Sequence, residues 1–148
     1  MRRLLETEAR WTVVMDSASQ DELYVIDSFA WIEYFAGSKA GAEAKQIIEA
    51  GRSITPTIVI AELAEKYQRE RMNFAQDLDF ITGKTRIIPL DLTIAEKAGS
   101  LSPERKRVIK RWGLADSIVL ATARQYGARI LTGDEHFRDL THEVHMIK

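Results

Sequence analysis

The sequence of 148 residues has a hydrophobic fraction of 45%, three prolines and a formal net charge of -1 at pH 7, which predicts one domain with a buried core and no internal linker. Cysteine is absent, which excludes disulfides, thiolate metal sites and a cysteine nucleophile. Because the whole molecule offers no attractive field to nucleic acid, such binding requires a local basic patch. No segment has membrane-spanning length, and acidic residues interrupt the apolar start of the chain before a signal peptide develops, so we expect a cytoplasmic protein.

From residue 23 onward, the first half of the sequence predicts strands that alternate with helices. Residues 23–27 are apolar and rich in β-formers, as expected for a short buried strand that ends at Asp27. Ser28 is predicted to cap a helix that stops at Gly37. The elements predicted next are a helix at 40–50, a strand at 52–55, a helix with Pro56 at its first position that runs to about Met72, and a helix at 74–81.

The second half of the sequence continues this alternation. The predicted elements are an edge-like strand at 85–90 closed by proline, helices at 93–101, 103–112 and 114–126, a strand at 129–132 and a strand at 144–147. Strands that alternate with helices predict an α/β fold in which a parallel sheet is covered on both faces. In such folds, functional sites lie at the carboxyl ends of the strands.

Residues 1–22 fit this alternation poorly. The segment 11–15 is either an added strand or part of a loosely ordered extension, and Met15 is an alternative start of translation. We therefore assign 1–22 to an N-terminal extension of uncertain order and 23–148 to the folded domain.

Four acidic residues lie in apolar or turn contexts where a carboxylate is not expected. Asp27 and Glu62 each follow an apolar run, Asp116 precedes one, and Asp134 lies in a Thr-Gly-Asp-Glu turn. Ionised carboxylates beside apolar surface need a positive partner, and no basic residue adjoins any of the four in sequence. Carboxylate oxygens without cysteine favour Mg²⁺ or Mn²⁺. Such an ion activates water for phosphodiester hydrolysis.

Three of these acids also have purely structural explanations. Asp27 could terminate its strand or cap the following helix, although Ser28 already offers that cap. Asp116 could be a first-turn acid favoured by the helix macrodipole, and Asp134 could be an ordinary turn residue. The joint placement of the acids favours a functional site more than any single one does.

Glu62 is the acid for which the sequence pattern leaves both interpretations open. If Ile60, Ala64 and Tyr67 form the buried stripe of their helix, Glu62 lies on the solvent face and pairs with Lys66 at i, i+4. The alternative is a position in the acidic site.

A pair of histidines and a run of basic residues are two further candidates for ligand binding. His142 and His145 have the i, i+3 spacing of a zinc pair, but exposed histidines near the end of the chain are the favoured interpretation. A dense basic run before Asp116 is either a solvated helix face or a patch that contacts RNA phosphates beside the acids, and both interpretations stay open. The basic residues are Arg105, Lys106, Arg107, Lys110 and Arg111.

Four segments taken together resemble the successive motifs of one family. They are VIDSFAWIEYF at 25–35, AEL at 61–63, LADSIVLATA at 114–123 and LTGDEHF at 131–137. In this order they look like the motifs of PIN-domain ribonucleases, especially the VapC-like toxins of toxin-antitoxin pairs. The resemblance covers residues 23–148. The extension before it and the basic segment 103–112 are departures from the family pattern.

The resemblance implies a three-layer α/β/α sandwich around a parallel sheet of about five strands, dependence on Mg²⁺ or Mn²⁺, cleavage of RNA, a homodimer and an antitoxin partner. It implies that Asp27, Glu62, Asp116 and Asp134 are the catalytic and metal-binding acids, with Ser28 and Thr132 as auxiliary polar residues near the metal or phosphate. It also resolves the ambiguity of Glu62 in favour of the site.

The function predicted from the sequence is therefore that of a metal-dependent endoribonuclease, the toxin of a toxin-antitoxin pair. Two alternatives remain: a housekeeping RNA-processing PIN nuclease, and a catalytically silent PIN-like binding module. Retention of all four acids argues against the silent module.

Overall fold

A computed structural model describes residues 22–148. The strands are β1 (Tyr24–Ile26), β2 (Ser53–Pro56), β3 (Arg86–Ile88), β4 (Arg129–Thr132) and β5 (Val144–Met146). The helices are α1 (Ser28–Ala36), α2 (Lys39–Glu49), α3 (Thr57–Arg69), α4 (Ala75–Lys84), α5 (Leu92–Val108) and α6 (Leu114–Tyr126), with a short 3-10 helix at Glu135–Phe137. The segment 11–15, with its two alternative interpretations, and the alternative start at Met15 lie outside the described residues.

The five strands form one sheet in the order β3-β2-β1-β4-β5, and every neighbouring pair is parallel. Parallel neighbours need crossover connections, and the intervening helices supply them. The predicted α/β/α fold is confirmed, including the position of β3 at a sheet edge. The chain fills the sheet outward from β1 through β2 to β3, and then returns to place β4 on the other side of β1. This change of direction creates a crevice at the carboxyl ends of β1 and β4.

The central strands are apolar because helices cover both faces of the sheet. Val25, Ile26, Ile130 and Leu131 are fully buried in β1 and β4. Helix α6 is buried along its whole middle, from residue 117 to residue 123, as its continuous apolar sequence predicts. Within residues 22–148, every helix is too short or too polar to span a bilayer.

The prediction of two helices at 93–101 and 103–112 is wrong, since α5 is one helix that contains Pro103. Proline removes one backbone hydrogen bond from a helix, but here it is exposed and the opposite face of α5 packs against α6. The buried residues of that face recur at helical spacing across the proline: Ile94, Ala98, Ser102 and Arg105. This continuous buried stripe stabilises the helix through the position at which the local sequence predicts a break.

The starts of two other helices also differ from the prediction. Asp27 occupies the N-cap position of α1, and Ser28 is the first helical residue. Pro56 is the last residue of β2, where it pairs in parallel register with Ile88, and α3 begins one residue later. Proline has no N–H to donate to the strand ladder, and this loss matters least at the last residue of a strand. The predicted stop of α1 is confirmed, because Gly37 adopts the left-handed conformation at φ 67°.

Candidate metal centre

The structure brings all four predicted acids to the crevice at the carboxyl ends of β1 and β4. Asp27 directly follows β1, and Asp134 comes two residues after β4. Glu62 lies in α3, and Asp116 lies in the first turn of α6. The negative charges of Glu62 and Asp134 act on Asp27, and those of Asp116 and Asp134 act on Glu62. The four carboxylates therefore form one mutually repelling cluster.

Asp27 is the deepest acid, with 5% of its surface exposed. Its backbone N–H donates to the carbonyl oxygen of Leu131 at 3.1 Å, which sets it beside the end of β4. The Thr132 hydroxyl donates to its Oδ2 at 2.8 Å. Burial raises the pKa of Asp27 to about 7, and the neighbouring carboxylates of Glu62 and Asp134 act in the same direction, against the opposing hydrogen bond from Thr132.

Glu62 is half-buried and accepts a hydrogen bond from the side chain of Ser28. Burial raises the pKa of Glu62, and the charges of Asp116 and Asp134 raise it further. A cation bound beside Glu62 would oppose both effects, because its positive charge favours the ionised carboxylate.

The buried stripe predicted for α3 is wrong. The helix buries Val59, Leu63 and Tyr67, whereas Ile60 is only partly buried and Ala64 is exposed. This displaced stripe turns Glu62 toward the sheet edge instead of solvent. The pair of Glu62 with Lys66, the alternative to a position in the site, is not formed, and Lys66 instead forms an ion pair with Glu70.

Asp116 has both a structural contact and a position in the site. It is the third residue of α6, and its Oδ2 accepts the backbone N–H of Gly113 at 3.0 Å, which caps the start of the helix. The same oxygen lies 2.9 Å from Nδ1 of His136. The two explanations considered for Asp116 in the sequence are thus compatible, since one side chain serves both.

The turn after β4 positions Asp134. A Cβ atom on Gly133 would lie 2.2 Å from the Phe29 ring and 2.7 Å from the carbonyl oxygen of Ile147, so only glycine lets the chain pass this close to α1. The backbone N–H of Asp134 donates to the Thr132 hydroxyl at 3.0 Å. Thr132 is fully buried and therefore connects two acids, as a donor to one and an acceptor from the backbone of the other.

His136 is a residue of this site that the sequence interpretation missed. Its backbone N–H donates to Oδ1 of Asp134 at 2.9 Å, and ligand atoms of Asp116, Asp134 and His136 lie within 4.8 Å of one another. Its place two residues after Asp134 was the available signal. The other histidines are elsewhere: His142 is exposed, and Nε2 of His145 lies 2.8 Å from a carboxylate oxygen of Glu43.

The basic run divides into two kinds of residue. Lys106, Arg107, Lys110 and Arg111 are exposed, as a phosphate-contacting patch requires. Arg105 is buried with 8% exposure, and its guanidinium forms two hydrogen bonds with Asp139, at 2.7 and 2.9 Å. Arg105 was a candidate RNA-binding residue, but the structure buries it, so it does not belong to the exposed patch.

The donor set of the cluster fits a hard divalent cation. Carboxylate oxygens are the ligands that Mg²⁺ and Mn²⁺ prefer, and an imidazole is compatible with Mn²⁺. The raised pKa values of Asp27 and Glu62 show that the crevice disfavours negative charge when no cation is bound. Asp27, Glu62, Asp116 and Asp134 are therefore suited to hold such an ion.

Solved structures of several known proteins share this fold. A toxin-antitoxin complex from Klebsiella pneumoniae matches with a TM-score of 0.66 and 24% identity, over 83% of this chain and 96% of that chain. VapBC2 from Rickettsia felis, bound to a DNA fragment from its promoter, matches with a TM-score of 0.67 and 15% identity, over 85% and 99%. The sarcin-ricin loop cleaving toxin VapC20 from Mycobacterium tuberculosis matches with a TM-score of 0.62 and 18% identity, over 79% and 94%.

Among curated protein sequences, none matches this chain significantly. The sequence model of the PIN domain matches residues 24–143, which include all four acids and most of the chain. This protein therefore belongs to the PIN domain family.

Proposed function

We propose that this protein is a divalent-metal-dependent endoribonuclease and the toxin of a toxin-antitoxin pair. The observation that carries the proposal is the convergence of Asp27, Glu62, Asp116 and Asp134 in one crevice, where burial and mutual repulsion raise the pKa of two of them. Membership of the PIN domain family supports nuclease chemistry.

Asp27, Glu62, Asp116 and Asp134 would hold Mg²⁺ or Mn²⁺. When bound, such an ion lowers the pKa of water and offsets the charge that develops on a phosphate oxygen. The chain's own residues keep the carboxylates oriented. Thr132 directs Asp27, Ser28 contacts Glu62, and the backbone N–H of Gly113 holds Asp116. These contacts reduce the reorganisation that the reaction would otherwise require.

RNA is the substrate that the charge distribution favours. The exposed residues Lys106, Arg107, Lys110 and Arg111 lie at the end of α5 and in the loop that leads to α6, which carries Asp116. They give a chain of near-neutral charge a local patch for phosphates. The similarity to a toxin that cleaves the sarcin-ricin loop supports a structured or single-stranded RNA loop as the target.

An antitoxin partner and a homodimer belong to the same proposal. The similar structures include a toxin-antitoxin complex and VapBC assemblies bound to DNA. We infer that this chain also binds a cognate antitoxin and acts in the cytoplasm.

The decisive experiment measures cleavage of a fluorophore-quencher RNA oligonucleotide pool by the purified protein. We expect activity with Mn²⁺ or Mg²⁺, little activity with Ca²⁺, which prefers a larger and more flexible ligand shell, and none in EDTA. Asp116→Asn should be inactive. Asp79→Asn is the matched control, because Asp79 is an exposed acid on α4. Equal cleavage in EDTA, or a fully active Asp116→Asn protein, would contradict the metal mechanism.

The toxin assignment is tested by purification from the native host. Recovery of the protein with a small DNA-binding partner that suppresses cleavage supports the toxin. Recovery with RNA-processing proteins instead would favour the housekeeping nuclease. RNA binding without cleavage under every metal condition would identify the silent binding module.

A further inference from the structure

Arg105 is a buried cation within a run of exposed ones. It is 8% exposed, whereas Lys106 and Arg107 beside it are exposed. A buried guanidinium is costly unless its charge is matched. Asp139 supplies the match through two hydrogen bonds, Nη1 to Oδ2 at 2.7 Å and Nη2 to Oδ1 at 2.9 Å. This two-point geometry is specific to arginine, because lysine cannot form it.

The same guanidinium contacts the backbone of the turn that carries Asp134. Its Nη2 donates to the carbonyl oxygen of His136 at 3.1 Å. The His136 N–H in turn donates to the carboxylate of Asp134. The backbone of His136 therefore accepts a hydrogen bond from Arg105 on α5 and donates one to Asp134. Arg105 therefore restrains the backbone of the turn that carries Asp134 and His136.

The guanidinium also lies over the ring of Trp112, at 4.3 Å from the ring centroid. Trp112 is buried, donates from its indole Nε1 to Oγ of Ser117 at 2.6 Å, and packs edge-on against Phe137 at 5.1 Å. The residue after Trp112 is Gly113, whose backbone N–H holds Asp116. Arg105 thus contacts the segment before α6 as well as the turn after β4.

These two segments meet in the candidate metal centre. Besides the ring contact of Trp112 with Phe137, Nδ1 of His136 lies 2.9 Å from Oδ2 of Asp116. We propose that Arg105 is a positioning residue that ties the 112–116 segment to the 134–139 turn, and thereby sets the spacing of Asp116, Asp134 and His136. The catalytic consequence of this inference rests on the proposed function, whereas the structural link does not.

The first test needs neither metal nor RNA. The chain has three histidines, so ¹H–¹⁵N correlation spectra of histidine side chains are simple, and His136→Gln identifies the His136 signal. At fixed pH in EDTA, Arg105→Met should shift the ring resonances of His136. Lys106→Met is the matched control, since it removes an exposed charge one residue away, and should leave them unchanged. An unshifted His136 signal in folded Arg105→Met protein would overturn the proposal.

The second test measures Mn²⁺ affinity by calorimetry and cleavage of the labelled RNA pool. Arg105→Met should raise the Kd for Mn²⁺ about 10- to 100-fold, as loss of a contact behind a metal ligand typically does, and should lower kcat with little change in KM. Lys106→Met should affect KM alone. Arg105→Lys should recover part of the Mn²⁺ affinity, because it retains the charge but not the two-point contact.

Three outcomes separate the possibilities. A purely structural Arg105 would lower Tm while leaving Kd and kcat unchanged below the transition, and a phosphate-binding Arg105 would raise only KM; either result overturns the proposal. If Arg105→Met does not fold, Asp139→Asn and Arg105→Lys are judged by the same His136 signal. If wild-type protein neither binds Mn²⁺ nor cleaves RNA, the proposed function fails, while the His136 shift still decides the role of Arg105.

Discussion

The acidic site has two halves that differ in what holds their carboxylates. In the deep half, Asp27 is buried and Glu62 is half-buried, and burial raises the pKa of each. In the rim half, the side chains of Asp116 and Asp134 are 18% and 35% exposed, and backbone N–H groups of nearby residues donate to them. Hydrogen bonds from residues nearby in sequence hold the rim acids. The deep acids accept side-chain hydrogen bonds from residues distant in sequence, Thr132 and Ser28.

The two halves differ in how their charges affect the stability of the metal-free protein. A rim acid stabilises its own helix or turn whether or not a cation is present. A deep acid lowers stability in the absence of a cation, because an ionised carboxylate loses hydration and lies near others of like charge. The deep half therefore gives the stronger structural argument for a bound cation.

The largest expected effect separates the halves by mutation. Asp27→Asn and Asp116→Asn should each reduce cleavage roughly a thousandfold or more, as loss of a catalytic group commonly does. In EDTA at pH 7.5 their stabilities should diverge. Asp27→Asn should raise the free energy of unfolding by about 1 to 3 kcal/mol, since it removes a strained charge. Asp116→Asn should lower it by about 0.5 to 1 kcal/mol, since it removes a charged helix-start acid.

Urea unfolding with and without saturating Mg²⁺ measures this divergence. The advantage of Asp27→Asn should shrink or reverse in Mg²⁺, because the wild type gains binding energy that the variant forfeits. Asp79→Asn again serves as the control and should change neither quantity. Equal stabilisation of both variants in EDTA would remove the distinction between the deep and rim halves.

The second prediction concerns pH in the absence of metal. The pKa of Asp27 is about 7 in the folded protein, against an ordinary value of 3.8. Between these values the folded state retains a proton that the unfolded state has released, so stability falls as pH rises. The raised pKa of Glu62 contributes with the same sign. Wild type should therefore lose up to about 4 kcal/mol between pH 4 and pH 7.5, and Asp27→Asn should lose less.

Comparing the two proteins isolates the deep half, because their histidines are identical and cancel in the difference. The carboxylates paired with basic residues have lowered pKa values, namely Glu135, Asp139 and Glu143. They contribute stability that is lost as pH falls below about 4.5, at the acidic edge of this window, and this contribution is the same in both proteins. Chemical denaturation at closely spaced pH values supplies the measurement. Parallel pH profiles for wild type and Asp27→Asn would show that Asp27 ionises normally.

The smallest expected effect concerns the exposed basic residues next to the rim half. Replacing Lys110 and Arg111 by Gln should flatten the dependence of log K on log salt by about 0.7 per lost phosphate contact on single-stranded RNA. Metal-free stability should change by less than about 0.5 kcal/mol, because both side chains are exposed. Fluorescence anisotropy with catalytically inactive Asp116→Asn protein measures RNA binding without cleavage.

Replacement of Lys45 and Lys97 by Gln is the matched control, since both are exposed cations outside the basic segment. An equal loss of salt dependence in both double variants would mean that RNA responds to net charge instead of to a patch. No change in either would leave Lys110 and Arg111 as solubilising charges.

Asp27, Asp116 and Asp134 were predictable as candidates because each lies in or beside an apolar or turn pattern that extends over only a few neighbouring residues. Glu62 was the exception, since a shift of one residue in the buried stripe of α3, a rotation of about 100°, moves Glu62 away from the solvent face. Arg105 was assigned to an exposed phosphate-binding run and His136 was missed, both for a different reason. Neither interrupts a local pattern: Arg105 resembles the cations around it, and His136 lies among the polar residues that follow Asp134.

The amino-acid sequence by itself determined the alternation of strands and helices and the residues of the acidic motifs, because periodicity, caps and turn residues act over short distances in the chain. Only the tertiary structure decided which face of α3 is buried, that α5 continues through Pro103, and that Arg105 is withdrawn from solvent. These outcomes depend on contacts between distant segments, such as Arg105 with Asp139, 34 residues apart, and Thr132 with Asp27, 105 residues apart. The energy of such contacts depends on packing, which no local pattern in the sequence records.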